Sequence, residues 1–160
     1  MNAQLPKTDT TAERLEDIGL ENFAPYLMNR IMGRYNGHVR VDMLALGLNT
    51  PKMRALATLA MMDGILIGEL SVYAVIEQST LSRTLVSLES DNLVRRSTDK
   101  KDNRATRIFI TSQGRDAFEI LWPRMTESYQ RMFANINDAE KQAFIATLKT
   151  ILGNIRHHEF

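Results

Sequence analysis

The residues able to do chemistry crowd between Gln78 and Gly114. Gln78, Ser79, Thr80, Ser82, Arg83 and Ser87 form the polar side of a helical stretch, while Leu81, Leu85, Val86 and Leu88 supply its apolar side. Glutamine can pair with adenine, arginine with guanine, and serine with bases or phosphates. Directly after this helix, Arg95, Arg96, Lys100, Lys101, Arg104 and Arg107 stand against only Asp99 and Asp102. A helix followed at once by a cationic hairpin suits a surface that meets nucleic-acid phosphates. A polar helix face by itself is ordinarily just solvated; with the charged hairpin attached, contact with DNA is the stronger reading.

Other chemistries lack their residues. There is no cysteine, which excludes disulfides and thiolate catalysis and fits a reducing compartment. No Gly-rich phosphate loop, Ser-His-Asp order or paired-carboxylate signature is present, so neither an enzyme nor a cofactor is expected. His157 and His158 are adjacent and point to different sides of a helix, which makes a poor metal site. The formal net charge is only +1, so any nucleic-acid surface must be a local patch rather than a property of the whole chain. The polar N-terminus carries no apolar core of a secretory signal, and no apolar run approaches membrane-spanning length. A soluble, cytoplasmic protein is expected.

The elements that position the patch follow from spacing. Residues 1–20 are polar and read as a flexible arm; 21–160 reads as one domain. From Asn22 a helix carries Phe23, Leu27, Ile31, His38, Met43 and Leu44 near one stripe, with Pro25 in its first turn and Gly33 and Gly37 leaving room for a close neighbour. Thr50 is expected to cap the next helix, with Pro51 at its first position. Asp63-Gly64 ends it. A short extended piece and a short helix occupy Ile65 to Tyr73, and the Gln78 to Asp91 helix ends at Asn92, a residue that tolerates the left-handed conformation. Leu93 to Thr98 and Thr106 to Thr111 form a hairpin around Asp99 to Ala105. Thr111 or Ser112 caps a long helix with Pro123 inside it, where a kink is expected. Asn137 and Glu140 open the last helix as a capping box, and Phe144, Leu148, Ile151 and Ile155 give it a narrow apolar seam. The expected fold is mainly α with a small β-wing. A winged helix-turn-helix lobe spans about 50–114, and helices at about 21–47 and 115–157 form a dimerisation base.

The pattern resembles the multiple-antibiotic-resistance-regulator (MarR) family. The resemblance lies in Leu70-Ser71 through Val94, Arg95-Arg96, Asp99-x-x-Asp102-Asn103-Arg104-Ala105 and Ile110-Thr111-x-x-Gly114. The family's wing typically reads Asp-Pro-x-Asp-Arg-Arg-Ala, so Lys100 and Asn103 are departures. The resemblance implies a homodimeric transcription regulator on a palindromic site, commonly a repressor, and commonly released by a small aromatic or phenolic acid. It also implies that Arg104 enters the minor groove, where narrow A·T-rich segments concentrate negative potential. Asp102 would then orient an arginine, and Lys100 and Lys101 would restore part of the charge missing at Asn103.

Two further sets of residues complete the expectation. Phe23, Leu27 and Ile31 on one helix and Phe144, Leu148, Ile151 and Ile155 on another are candidates for the dimer interface, although such seams are more often plain core. His38, Met61, Met62 and Trp122 could line an effector cavity; packing within the core is the plainer account of these four. The rival readings are an activator of the same fold, a protein-interaction module built on the winged lobe, and an enzyme on a helical scaffold.

Overall fold

A computed structural model describes residues 14–155. The chain divides into two compact units, residues 1–34 and 35–160. The first carries a single helical turn, α1 (Leu15–Ile18), a 3-10 turn (Leu20–Asn22) and the beginning of α2 (Ala24–Ala45). Where a loose arm was expected through residue 20, the chain is helical from Leu15, with the Asp17 carboxylate accepting from the Arg14 amide at 3.2 Å. The rest of that arm, residues 1–13, lies outside the described residues. Phe23, Leu27 and Ile31 are exposed on this unit.

The second unit opens on the remainder of α2, where Val39 and Met43 are buried while His38 and Leu44 face outward. It continues with α3 (Thr50–Met61), β1 (Ile65–Leu66), α4 (Ile67–Tyr73), α5 (Gln78–Ser90), β2 (Val94–Thr98), β3 (Thr106–Ile110), α6 (Ser112–Met132) and α7 (Asp138–Ile155). The cap of α3 is Asn49 rather than Thr50: its side-chain oxygen accepts from the Lys52 amide at 3.0 Å, and Pro51 follows as the second helical residue. Asparagine is the better cap, which moves the start by one residue.

Three antiparallel strands form the sheet in the order β1-β3-β2, so the short extended piece at Ile65–Leu66 is a third strand of the wing. It pairs Ile65 with Ile108, and β2 pairs Val94 with Ile110 through Thr98 with Thr106. One core unites Leu56, Leu59, Leu70, Leu81, Leu85, Leu88, Ile108 and Leu121. On α5 the fourth inward position belongs to Thr84, not Val86. The Thr84 hydroxyl donates to the Thr80 carbonyl at 2.8 Å, which lets a polar residue be buried, and Val86 stands 62% exposed.

Local chemistry fixes the joints. Asn92 ends α5 at φ +55°. Thr111 caps α6 by accepting from the Gly114 amide at 3.0 Å. α6 runs on past Pro123 to Met132. Asn137 and Glu140 exchange side-chain-to-amide hydrogen bonds of 2.9 and 3.1 Å at the start of α7. None of α7's residues is buried within the chain.

Candidate nucleic-acid interface

α4 and α5 make the helix-turn-helix. Leu70, Ala74, Ile76, Leu81 and Leu85 anchor it, and the intervening turn is closed by the Ile76 amide donating to the Ser71 carbonyl at 3.0 Å. Val75 crosses this turn at φ +53° and is 75% exposed, an unusual conformation for a β-branched residue. The Arg54 guanidinium steadies it by donating to the Val75 carbonyl at 3.2 Å.

With the leucines inward, α5 turns Gln78, Ser79, Ser82 and Arg83 to solvent and leaves Thr80 and Ser87 half-buried. Among the described residues no carboxylate lies within 4.0 Å of the Arg83 guanidinium. Glu77, one residue ahead of the helix, escaped the sequence reading. Its carboxylate accepts from the Ser79 hydroxyl at 2.6 Å. That bond, with smaller help from Thr80 and the charge of Arg83, holds Glu77 below the usual carboxylate range. A glutamate at this end places one negative charge among the groups expected to meet DNA.

The hairpin sorts its cations by role. Arg107 forms an ion pair with Asp99 and donates to the Gly64 carbonyl at 2.7 Å, tying the wing to β1. Arg96 pairs with Glu89 of α5 at 2.7 Å. Arg95 lies over the ring of Phe109, 4.2 Å from its centroid, and Phe109 in turn lies over Gly64, where a Cβ would come within 2.6 Å of the ring. Gly64 also sits at φ +73°, so glycine is required there twice over. Lys100, Lys101 and Arg104 remain exposed at the tip, and among the described residues none has a side-chain ion-pair partner.

Asp99 organises that tip. It is 7% exposed, and its carboxylate accepts from the amides of Lys101 and Asp102 at 2.7 and 2.9 Å as well as from Arg107. The Arg107 hydrogen bond, followed by those two amides, lowers its pKa to about 2. The supporting role assigned to Asp102 is therefore different in kind. Asp102 accepts from the backbone amide of Arg104 at 2.9 Å and, among the described residues, pairs with no guanidinium, whereas Asp99 holds Arg107. The two carboxylates close consecutive turns and present Arg104, with Asn103 exposed beside it. The signal was present in the Asp99-x-x-Asp102 spacing, because aspartates hydrogen-bond amides two and three residues on.

Known proteins place this geometry. Residues 46–105 match the model of the MarR family. A crystal structure of a MarR-family transcriptional regulator from Silicibacter pomeroyi is 55% identical and superposes with a TM-score of 0.86, covering 92% of this chain and 100% of the other. The chain belongs to the MarR family. Among relatives, the HTH-type transcriptional repressor IacR of Pseudomonas putida is 27% identical over 140 residues, 88% of this chain and 84% of its own. BpsR of Bordetella bronchiseptica, whose DNA binding is regulated by 6-hydroxynicotinic acid, shares the fold at 21% identity and a TM-score of 0.69, over 79% of this chain and 96% of its own.

This MarR-family regulator thus carries a DNA-binding winged-helix fold, and its family and relatives are transcription regulators rather than enzymes. Among the described residues no helix is long and apolar enough to cross a membrane. The four residues suggested for an effector cavity are not buried in the single chain. Met61 is 84% exposed, Trp122 is 53% exposed, His38 is exposed and Met62 half-buried; the Trp122 ring lies tilted against Phe118, one turn away, with centroids 5.7 Å apart. A groove of about 440 Å³ lies elsewhere, between the start of α4 and the wing, lined by Leu66, Ile67, Glu69, Arg104 and Thr106 among others. His157 and His158 lie outside the described residues.

Proposed function

We propose that this regulator is a homodimeric repressor that binds a palindromic operator and is released by a small aromatic or phenolic acid. The observation that carries the DNA reading is the presence, on one lobe, of Arg83 on α5 and a pre-shaped cationic tip at Lys100, Lys101 and Arg104, none of them ion-paired among the described residues. α5 enters the major groove, where Gln78, Ser79, Ser82 and Arg83 meet base edges or phosphates, with Thr80 and Ser87 at the margins. Arg104 enters the adjacent minor groove, flanked by Lys100, Lys101 and Asn103, and Arg95 meets the backbone. Because Asp99 and Asp102 already fold the tip, little ordering cost attends its landing on DNA.

Dimerisation follows from what α7 leaves uncovered. Phe144, Ile151 and Ile155 are exposed and Leu148 is half-buried on a helix with no buried residue, more apolar surface than a lone surface helix leaves in water. Phe23, Leu27 and Ile31, exposed on the first unit, are likewise candidates to be covered by a second copy. Two-fold symmetry then matches two lobes to two half-sites. The repressing sign is supported by the likeness to IacR, and effector release by the control of BpsR by an aromatic acid. His38, Met61, Met62 and Trp122, open in the single chain, are the residues for which a dimer would supply the missing wall. The effector must bind the DNA-incompetent arrangement more tightly than the competent one.

Selection of duplexes from a random pool tests the reading. The expected product is a palindrome with half-sites about 10 bp apart. Its affinity should fall with salt at a log–log slope of about −5, as for six phosphates neutralised by Lys100, Lys101 and Arg95 of two protomers. Failure to enrich any duplex, or binding indifferent to salt, would overturn it.

A further inference from the structure

Val86 interrupts the polar face of α5. It is 62% exposed, on the same stripe as Ser79, Ser82 and Arg83, which precede it by seven, four and three residues. The inward face of the helix is completed without it, by Leu81, Thr84, Leu85 and Leu88. Valine is also a poorer helix former than alanine, so local propensity does not favour it there. We propose that Val86 is a specificity-determining residue that reads the C5-methyl of a thymine. The inference rests on α5 being the major-groove helix.

The chemistry singles out that partner. Among the base edges of the major groove, the thymine methyl is the one apolar group that projects from the base; the other bases are read there chiefly through donors and acceptors. A branched side chain with one dominant rotamer in a helix loses little freedom on contact, so it suits a fixed methyl better than a long, flexible residue would. Ser79 and Val86 are seven residues apart, about 10 Å along the helix axis, which is about three base-pair steps. The thymine therefore lies about three steps from the base or phosphate met at Ser79, with Arg83 between.

The test uses the full-length protein and the tightest duplex from the random pool, with each thymine replaced in turn by deoxyuridine, which lacks only the methyl. Replacement at one position per half-site should weaken binding about fourfold per half-site, the worth of one buried methyl group. Val86→Ala should weaken binding to the thymine duplex by a similar factor, lose the distinction between thymine and deoxyuridine at that position, and keep the wild-type salt slope. Indifference of the wild type to every replacement overturns the assignment. So does an undiminished thymine preference in Val86→Ala. Either outcome, with duplex binding and its salt slope intact, leaves the DNA reading standing; absence of duplex binding removes both.

Discussion

Gly114→Ala should be the most damaging single methyl that can be added at the joint between the wing and α6. Gly114 has no positive φ, so its backbone does not demand glycine; the reason for it is space. A Cβ there would stand 2.0 Å from the Leu93 carbonyl oxygen and 3.0 Å from Ile110 Cγ1. Carbon and carbonyl oxygen touch at about 3.3 Å, so α6 and the start of β2 would have to part by more than 1 Å. The same oxygen accepts the Thr111 amide at 3.1 Å, and Leu93 is buried, so that bond must stretch or break. Overpacking costs about 1–3 kcal/mol and an unsatisfied buried group about 1–3 more. Alanine's better helix propensity returns at most about 1. The net loss of about 1–5 kcal/mol corresponds to a fall in Tm of roughly 2–20 °C for a chain of this size. Thermal melts by circular dichroism, at one protein concentration because a dimer's Tm depends on it, provide the measurement. A Tm that stays within a degree, or rises as helix propensity alone would dictate, refutes the steric account.

Arg104→Ala should weaken operator binding tenfold or more, about 1.4 kcal/mol, with the dimer intact by light scattering; unchanged binding at moderate salt would take the wing out of the mechanism. Val75→Gly should stabilise the protein by about 0.5–1 kcal/mol, because relief of about 1–2 kcal/mol of left-handed strain exceeds the added chain entropy; a lower Tm would show that the exposed valine makes contacts worth more than its strain. The double variant Phe144→Glu, Ile151→Glu removes four apolar side chains from a dimer, about 6 kcal/mol in all, so light scattering should find monomers at concentrations where the wild type is dimeric. Asp99, with its pKa lowered to about 2 from the ordinary aspartate value of 3.8, contributes to the wing's order above roughly pH 4, and that contribution is lost as pH falls toward 2. Amide exchange at Lys101 and Asp102, corrected for intrinsic rates, should therefore show constant protection from pH 5 to 8 in the wild type and diminished protection in Asp99→Asn; a protection step near neutrality would contradict the assignment.

What could be read without coordinates was whatever depends on neighbours in sequence. The Asn137–Glu140 box, the left-handed Asn92 and the Thr111 cap each involve partners within a turn, and residue type announces them. The exchange of Thr84 for Val86 has the opposite origin. Helical phase alone puts position 84 with 81, 85 and 88, but valine looks buried and threonine does not; the i−4 carbonyl that satisfies the threonine hydroxyl is invisible to a hydropathy pattern. The amide bonds of Asp99 are local and announced by the Asp99-x-x-Asp102 spacing, but the anchoring of its arginine is not. Nothing in a charged hairpin states that Arg107 will reach back across 43 residues to the Gly64 carbonyl and leave Asp99 as the hub. That Met61 and Trp122 stand open to solvent is likewise set by tertiary packing and not by residue type.

The division of labour among the wing's cations separates charge from geometry. Two of the six, Arg96 and Arg107, are held by carboxylates, a third is stacked on an aromatic ring, and three are presented. Counting phosphates alone, Asp99→Asn should strengthen binding, because it raises the net charge by one and frees Arg107. The geometry argues the other way. The lost carboxylate is the acceptor for two tip amides and for the arginine that tethers β3 to Gly64, so the variant has more positive charge but no fixed place from which to deliver Arg104. A near-neutral chain can bind a polyanion only if its few free cations arrive together, and the buried acid of the wing is what brings them together.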